Sequence, residues 1–110
     1  MATDPRTIET LSDLIADAGE INIKKMFGEY GVYCDGRFIG VVCDDQFHLK
    51  PTKQGRAFAP ELEMLPAYDG ASPSMVVPAE RLEEHDWIIE LVQITARHVP
   101  APKKRGKAKG

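Results

Sequence analysis

Only two cysteines, Cys34 and Cys43, occur in the 110 residues. Two thiols make no disulfide framework, so burial and hydrogen bonding have to hold the fold. No uncharged apolar run approaches the length needed to cross a bilayer. The opening residues, MATDPRT, have neither the basic nor the apolar region of a signal peptide. A cytoplasmic location is therefore expected. Neither G-x-G-x-x-G nor G-x-x-x-x-G-K-[ST] is present, which argues against the common phosphate-cradling loops. His48, His85 and His98 stand far apart, with neither H-x₃-H nor H-E-x-x-H spacing. No metal site and no cofactor are expected from them.

The composition is that of one ordinary domain. The apolar fraction is 43% and the charged fraction 28%. A chain of this length buries roughly 65% of its unfolded surface, enough for one core. The net charge of −3 conceals a split. Residues 1–99 hold all 17 acidic groups against nine Lys and Arg. Residues 100–110 hold Lys103, Lys104, Arg105, Lys107 and Lys109 and no acid. An acidic body with a basic tail raises the question of a polyanionic partner.

Asp4-Pro5 reads as an N-cap followed by proline at the first helical position. Ile8, Leu11, Leu14, Ile15 and Ala18 then recur at helical spacing, and Gly19 marks a stop. The spacing predicts a helix over 5–18. Thr52 suits the cap of a short helix to about Phe58, ended by Pro60. Residues 64–77 suit two short strands, and Pro78 a turn through Leu82. Asp86 is the expected cap of a last helix whose stripe is Ile88, Leu91, Val92, Ala96 and Val99. Residues 100–110 have no anchor and are read as a basic disordered tail on a domain of residues 1–99.

The stretch KKMFGEYGVYCDGRFIGVV, residues 24–42, carries four glycines among strand-forming residues. Asp35-Gly36 is a two-residue hairpin signal, since a type I′ turn needs positive φ at both positions. Asp44-Asp45 is a second, weaker turn. The two predict a three-stranded meander ending near Lys50. A regular register sets Tyr33 against Phe38, Gly31 against Gly40 and Val42 against Phe47. One face then carries Tyr33, Phe38, Val42, Phe47 and Leu49, and is the expected core face. Gly31 and Gly40 become a pair on it that admits a helix, and Gly28 a bend where the first strand begins. The other face carries Val32, Cys34, Arg37, Ile39, Val41, Cys43, Gln46, His48 and Lys50. The fold class expected is α+β, one small domain in the order α-β(3)-α-β(2)-α, with an antiparallel meander packed against helices.

The residues Met26-Phe27-Gly28, Tyr30-Gly31-Val32-Tyr33, the Asp35-Gly36 turn and the Phe47-His48-Leu49-Lys50 strand resemble the N-terminal domain of the TfoX/Sxy family. Ser74-Met75 and Val77-Pro78 are similar to its second anchor. The resemblance covers nearly all of residues 8–98. It implies the same order of elements and a non-enzymatic regulatory or protein-interaction domain. It also implies transcription machinery as partner, in the regulation of DNA-uptake competence. Against the family's best-known members, the expectation is a chain without their C-terminal domain, with the basic tail in its place. The chain also has Val76 and Val77 where aromatics often follow the Ser-Met pair.

The candidate sites each have a plain structural counterpart. In the regular register Cys34 and Cys43 share a face but lie roughly 20 Å apart at strand rise, too far for a disulfide or a common metal. They read as small hydrophobes. A dyad of either with His48 would lack an orienting group and an oxyanion site. The acids at 61–63 and 80–90 read as a solvated face. No catalytic residue is assigned. Met26, Phe27 and Tyr30 are candidate partner contacts if exposed, and core residues otherwise. Lys103, Lys104, Arg105, Lys107 and Lys109 are candidate nucleic-acid contacts of the phosphate-binding kind, or a solubilising tail. The sequence is also compatible with a homodimer.

Overall fold

The computed structural model describes residues 3–26 and 29–99, and of Met26 the backbone only. Helix α1 (Pro5–Ile15) starts at Asp4, whose side chain accepts from the backbone N–H of Arg6, with Pro5 in the first turn. A 3-10 turn over Ala16–Ala18 completes the stretch read as one helix. Leu11 and Ile15 are buried; such side chains contribute about 1.5–3 kcal/mol each on burial. The chain then forms strands β1 (Ile21–Met26), β2 (Glu29–Cys34), β3 (Arg37–Cys43) and β4 (Gln46–Leu49). After helix α2 (Lys53–Phe58) come β5 (Met64–Pro66), β6 (Pro73–Val77), a single helical turn α3 (Ala79–Leu82) and helix α4 (His85–His98).

The six strands make one antiparallel sheet in the order β1-β2-β3-β4-β6-β5. The α+β class and the overall order agree with the sequence reading, with one added strand. β1 was not anticipated, and the meander has four strands rather than three. Its signal is the alternation Ile21-Asn22-Ile23-Lys24. Ile21 and Ile23 pair with Cys34 and Val32 on the helix side. Gly28, read as a bend, lies outside the described residues.

Both hairpin turns form. Asp35 and Gly36 have φ of 53° and 82°, and Asp44 and Asp45 have 55° and 65°. Thr52 accepts from the N–H of Gly55 and caps α2. A β-carbon at Gly55 would fall 2.9 Å from the Thr52 hydroxyl oxygen, so the cap itself favours glycine there, while Leu91 and Thr95 of α4 would lie at ordinary contact distance. Helix α4 has no side-chain cap and starts after Glu84 rather than at Asp86. Its stripe of Ile88, Leu91, Val92, Ala96 and Val99 is buried as read.

The register departs from the regular one at a single place. Tyr33 pairs with Phe38, but Val32 pairs with Gly40, so Ile39 is an extra residue in β3. This β-bulge shifts the alternation of side chains by one. Val32, Cys34 and Ile39 turn to the helices and are fully buried with Val42 and Leu49. Tyr33 and Phe38, expected in the core, lie on the opposite face. The expected Gly31–Gly40 pair does not form, because Gly31 pairs with Val41. Cys34 and Cys43 do not share a face either. The core thus sits between the helices and the inner face of the sheet, in one cluster that includes Leu11, Ile15, Val42, Leu49, Leu91 and Val92.

Candidate functional site

The bulge builds a surface on the side of the sheet away from the helices. Tyr33 of β2 and Phe38 of β3 stand side by side there, their ring centroids 5.3 Å apart at an interplanar angle of 51°. A tilted pair at this distance is an attractive arrangement of two ring quadrupoles. Lys24 of β1 holds its Nζ 5.4 Å from the Tyr33 centroid. Lys50, after β4, holds its Nζ 5.3 Å from the Phe38 centroid. Each lysine is thus within cation–π reach of one ring.

Beside the pair an open trough of about 710 Å³ is lined by Glu29, Tyr30, Tyr33, Phe38, Val41 and Tyr68, with Cys43. Tyr68 lies between β5 and β6 and is 62% exposed. The trough therefore has aromatic walls, lysines beyond the aromatic pair, and one carboxylate among its lining residues. Glu29 is already engaged, accepting from the Thr3 hydroxyl and the Asp44 N–H.

His48 pairs with Val41 and Val76 and so belongs to this face by register, yet it is only 4% exposed. Its Nδ1 is 3.1 Å from the Ser74 hydroxyl. That hydroxyl donates to the Leu65 carbonyl, so the imidazole N–H donates to Ser74 and Ser74 has no base. Burial holds the His48 pKa below the ordinary value. Cys34 lies across the sheet from His48. Burial, reinforced by Asp35, pushes its thiol pKa up to about 11. Cys43 is half-buried with its pKa also raised, first by burial and then by Glu29. Neither thiol is activated as a nucleophile.

A second cleft of about 590 Å³ opens between α1 and α3, over Val42, Phe47 and Val77. Of the acids that line it, Asp4, Asp45 and Glu83, Asp45 accepts from the Asp4 N–H and the Thr7 hydroxyl. That cluster ties the N-terminal segment to the second hairpin turn and is structural. Arg81 likewise joins Glu61 and Glu84 and stacks 3.8 Å from the Trp87 centroid. Among the described residues no group of three His, Cys, Asp or Glu is placed to hold a metal ion. No helix among them is long and apolar enough to cross a membrane.

Of the candidate partner contacts, Tyr30 is half-buried, packs against the core cluster and also lines the trough. Phe27 and the Met26 side chain lie outside the described residues. So do Lys103, Lys104, Arg105, Lys107 and Lys109. Sequence reasoning misses Lys24, Lys50 and Tyr68, and places both Tyr33 and Phe38 in the core. The available signal was the lysine near each end of the hairpin that carries the two aromatics, but a regular register pointed the rings inward.

Two comparisons bear on the chain. The family model described as the TfoX N-terminal domain matches residues 13–99. A protein of Spirochaeta aurantia, described as an uncharacterized 12.7 kDa protein in the trpE 5′ region, is 37% identical over 109 residues. That alignment covers 99% of this chain and 93% of the relative.

Proposed function

Because the chain belongs to the TfoX N-terminal domain family, we propose that it is a non-enzymatic regulatory domain that works by binding other macromolecules through the open face of its sheet. The process is transcriptional regulation linked to DNA-uptake competence, and the transcription machinery is where the domain acts. The observation that carries the reading is the face itself. Half-buried Tyr33 and Phe38 stand on a sheet surface that no helix among the described residues covers, with Tyr68 of the β5–β6 connection beside them, while most of the sheet's other apolar side chains face the helices. Cys34 and His48, which could have formed a nucleophile and base, are consumed by packing on opposite sides of the sheet.

The test is genetic complementation in the source organism. A strain lacking the gene is supplied with the wild-type chain or with Tyr33→Leu/Phe38→Leu, and transcripts of DNA-uptake genes are measured. Rescue by the wild type and failure of a folded, equally abundant variant is the expected result. Equal rescue by both would refute the role of the face, and no transcript change on deletion would refute the process.

A second reading rests on the charge split. The five cations at 103–109 would bind nucleic acid without sequence preference, beside a body in which 17 acids outnumber nine bases. Changing all five to Gln in the full chain should then abolish salt-sensitive binding to a DNA duplex. Binding that persists would dismiss this reading.

A further inference from the structure

We propose that the open sheet face is a binding platform for single-stranded nucleic acid, with Tyr33 and Phe38 stacking on bases and Lys24 and Lys50 meeting the flanking phosphates. The proposal rests on the reading of this face as the working surface and names the chemistry of its occupant.

Four features support it. The two rings lie on neighbouring strands with centroids 5.3 Å apart. Adjacent aromatics on a sheet face are what unstacked bases need, because every base offers a π-face and the platform needs no sequence preference. The lysines stand at both rings rather than at one. A strand laid across the pair would therefore find a cation on each side, with Nζ atoms now spent on the rings free to turn to phosphate oxygens. Tyr68, 62% exposed in the β5–β6 connection, offers a further ring beside the trough. Finally, among the described residues β1, which carries Lys24, pairs with β2 alone and is the edge of the sheet.

The arrangement selects against a duplex. Stacked, paired bases hide their faces, so a double helix could use the lysines but not the rings. It also differs from a tail-mediated contact, which reads phosphates alone. A protein partner would use the same apolar trough. The placement of one cation on each of two paired rings favours a polyanion that carries flat aromatic groups at short intervals.

The experiment is fluorescence anisotropy with a labelled oligothymidine of about 12 nucleotides, within the roughly 4–16 nucleotides such platforms occupy. The full chain is used with its five tail cations changed to Gln, so that the face alone is read. Binding is expected at low salt, because the tail-neutralised chain keeps 17 acids against nine bases. Tyr33→Leu/Phe38→Leu, which keeps apolar bulk and removes the ring planes, should weaken it by about tenfold or more. Lys24→Gln/Lys50→Gln should lower the log–log salt slope by about 1.4, the value for two phosphates on a single strand. Circular dichroism and thermal melting establish that each variant is folded. The lysine pair is exposed or half-buried, so it reports on the face even if the aromatic pair destabilises. No binding, a duplex of equal length bound as tightly, or binding unchanged by both pairs of substitutions would each overturn the proposal. Failure here with loss of rescue in the complementation experiment would leave the face in use by a protein partner. Failure in both would remove the face altogether.

Discussion

The position a β-carbon would take on Gly40 falls on the backbone carbonyl oxygen of His48 in the neighbouring strand. Gly40 is required by strand-to-strand approach at the bulge, not by a helix lying over it. Backbone, unlike the end of a side chain, cannot swing away. Gly40→Ala should therefore destabilise the fold by about 1–3 kcal/mol or more. Urea unfolding of the wild type and the variant checks this, and equal midpoints would contradict the geometry.

Arg37 next to the first hairpin turn donates from Nη1 to the carbonyls of Ala96 and Arg97, at 2.9 and 3.3 Å. These belong to the last turn of α4, where carbonyls lack helical partners and cations are favoured. Arg37→Leu should cost about 1–2 kcal/mol. Hydrogen exchange at the end of α4 should rise more than at its centre. A uniform change along the helix would show that the contact is not a cap.

Two histidines should titrate in opposite directions. His85 has its pKa raised, first by Asp17 at 2.9 Å and then by Asp86. The stability it adds is present below the ordinary histidine pKa and is lost as pH rises through the higher folded value. His48 has its pKa lowered by burial, so its effect is reversed. The fold is at full stability above the ordinary value and loses some as pH falls from there toward the lower folded value. In an NMR titration His48 should stay neutral at a pH where His85 is already charged. His85→Gln should lower the melting temperature more at about pH 5.5 than at about pH 8, given the ordinary value near 6.5.

The two thiols should differ in reactivity. Cys34 is wholly buried with its pKa pushed up to about 11, whereas Cys43 is half-buried beside the trough. With a disulfide reagent at about pH 8, one thiol should react well before the other, since thiolate fraction and access set the rate. Cys43→Ala should remove the faster phase. Retention of that phase would place Cys34 at the surface.

How much of this was legible in the sequence depends on the signal. Helix α1, helix α2 and the stripe of α4 follow from chemistry within a few residues: Asp4 before Pro5, Thr52 three residues before Gly55, and apolar spacing from Ile88 to Val99. The Asp35-Gly36 turn is similarly local, because its positive φ angles demand such residues. β1 was present as a short alternation but was not read, since six residues carry little periodic signal.

The side chains of Tyr33 and Phe38 depended on something else. Strand alternation has a period of two, so one extra residue, Ile39, exchanges inside and outside for everything up to the turn. Gly40 is a local mark of the bulge, since a glycine inside a strand often accompanies one, but it does not say which way the side chains on either side then turn. The choice follows from which residues the helices can bury and from the room Gly40 leaves for the backbone of His48. Chemistry between near neighbours along the chain sets α1, α2 and the hairpin turns, and carries the family resemblance. Which face bears the aromatics is settled by packing across the whole sheet, beyond the reach of neighbours along the chain.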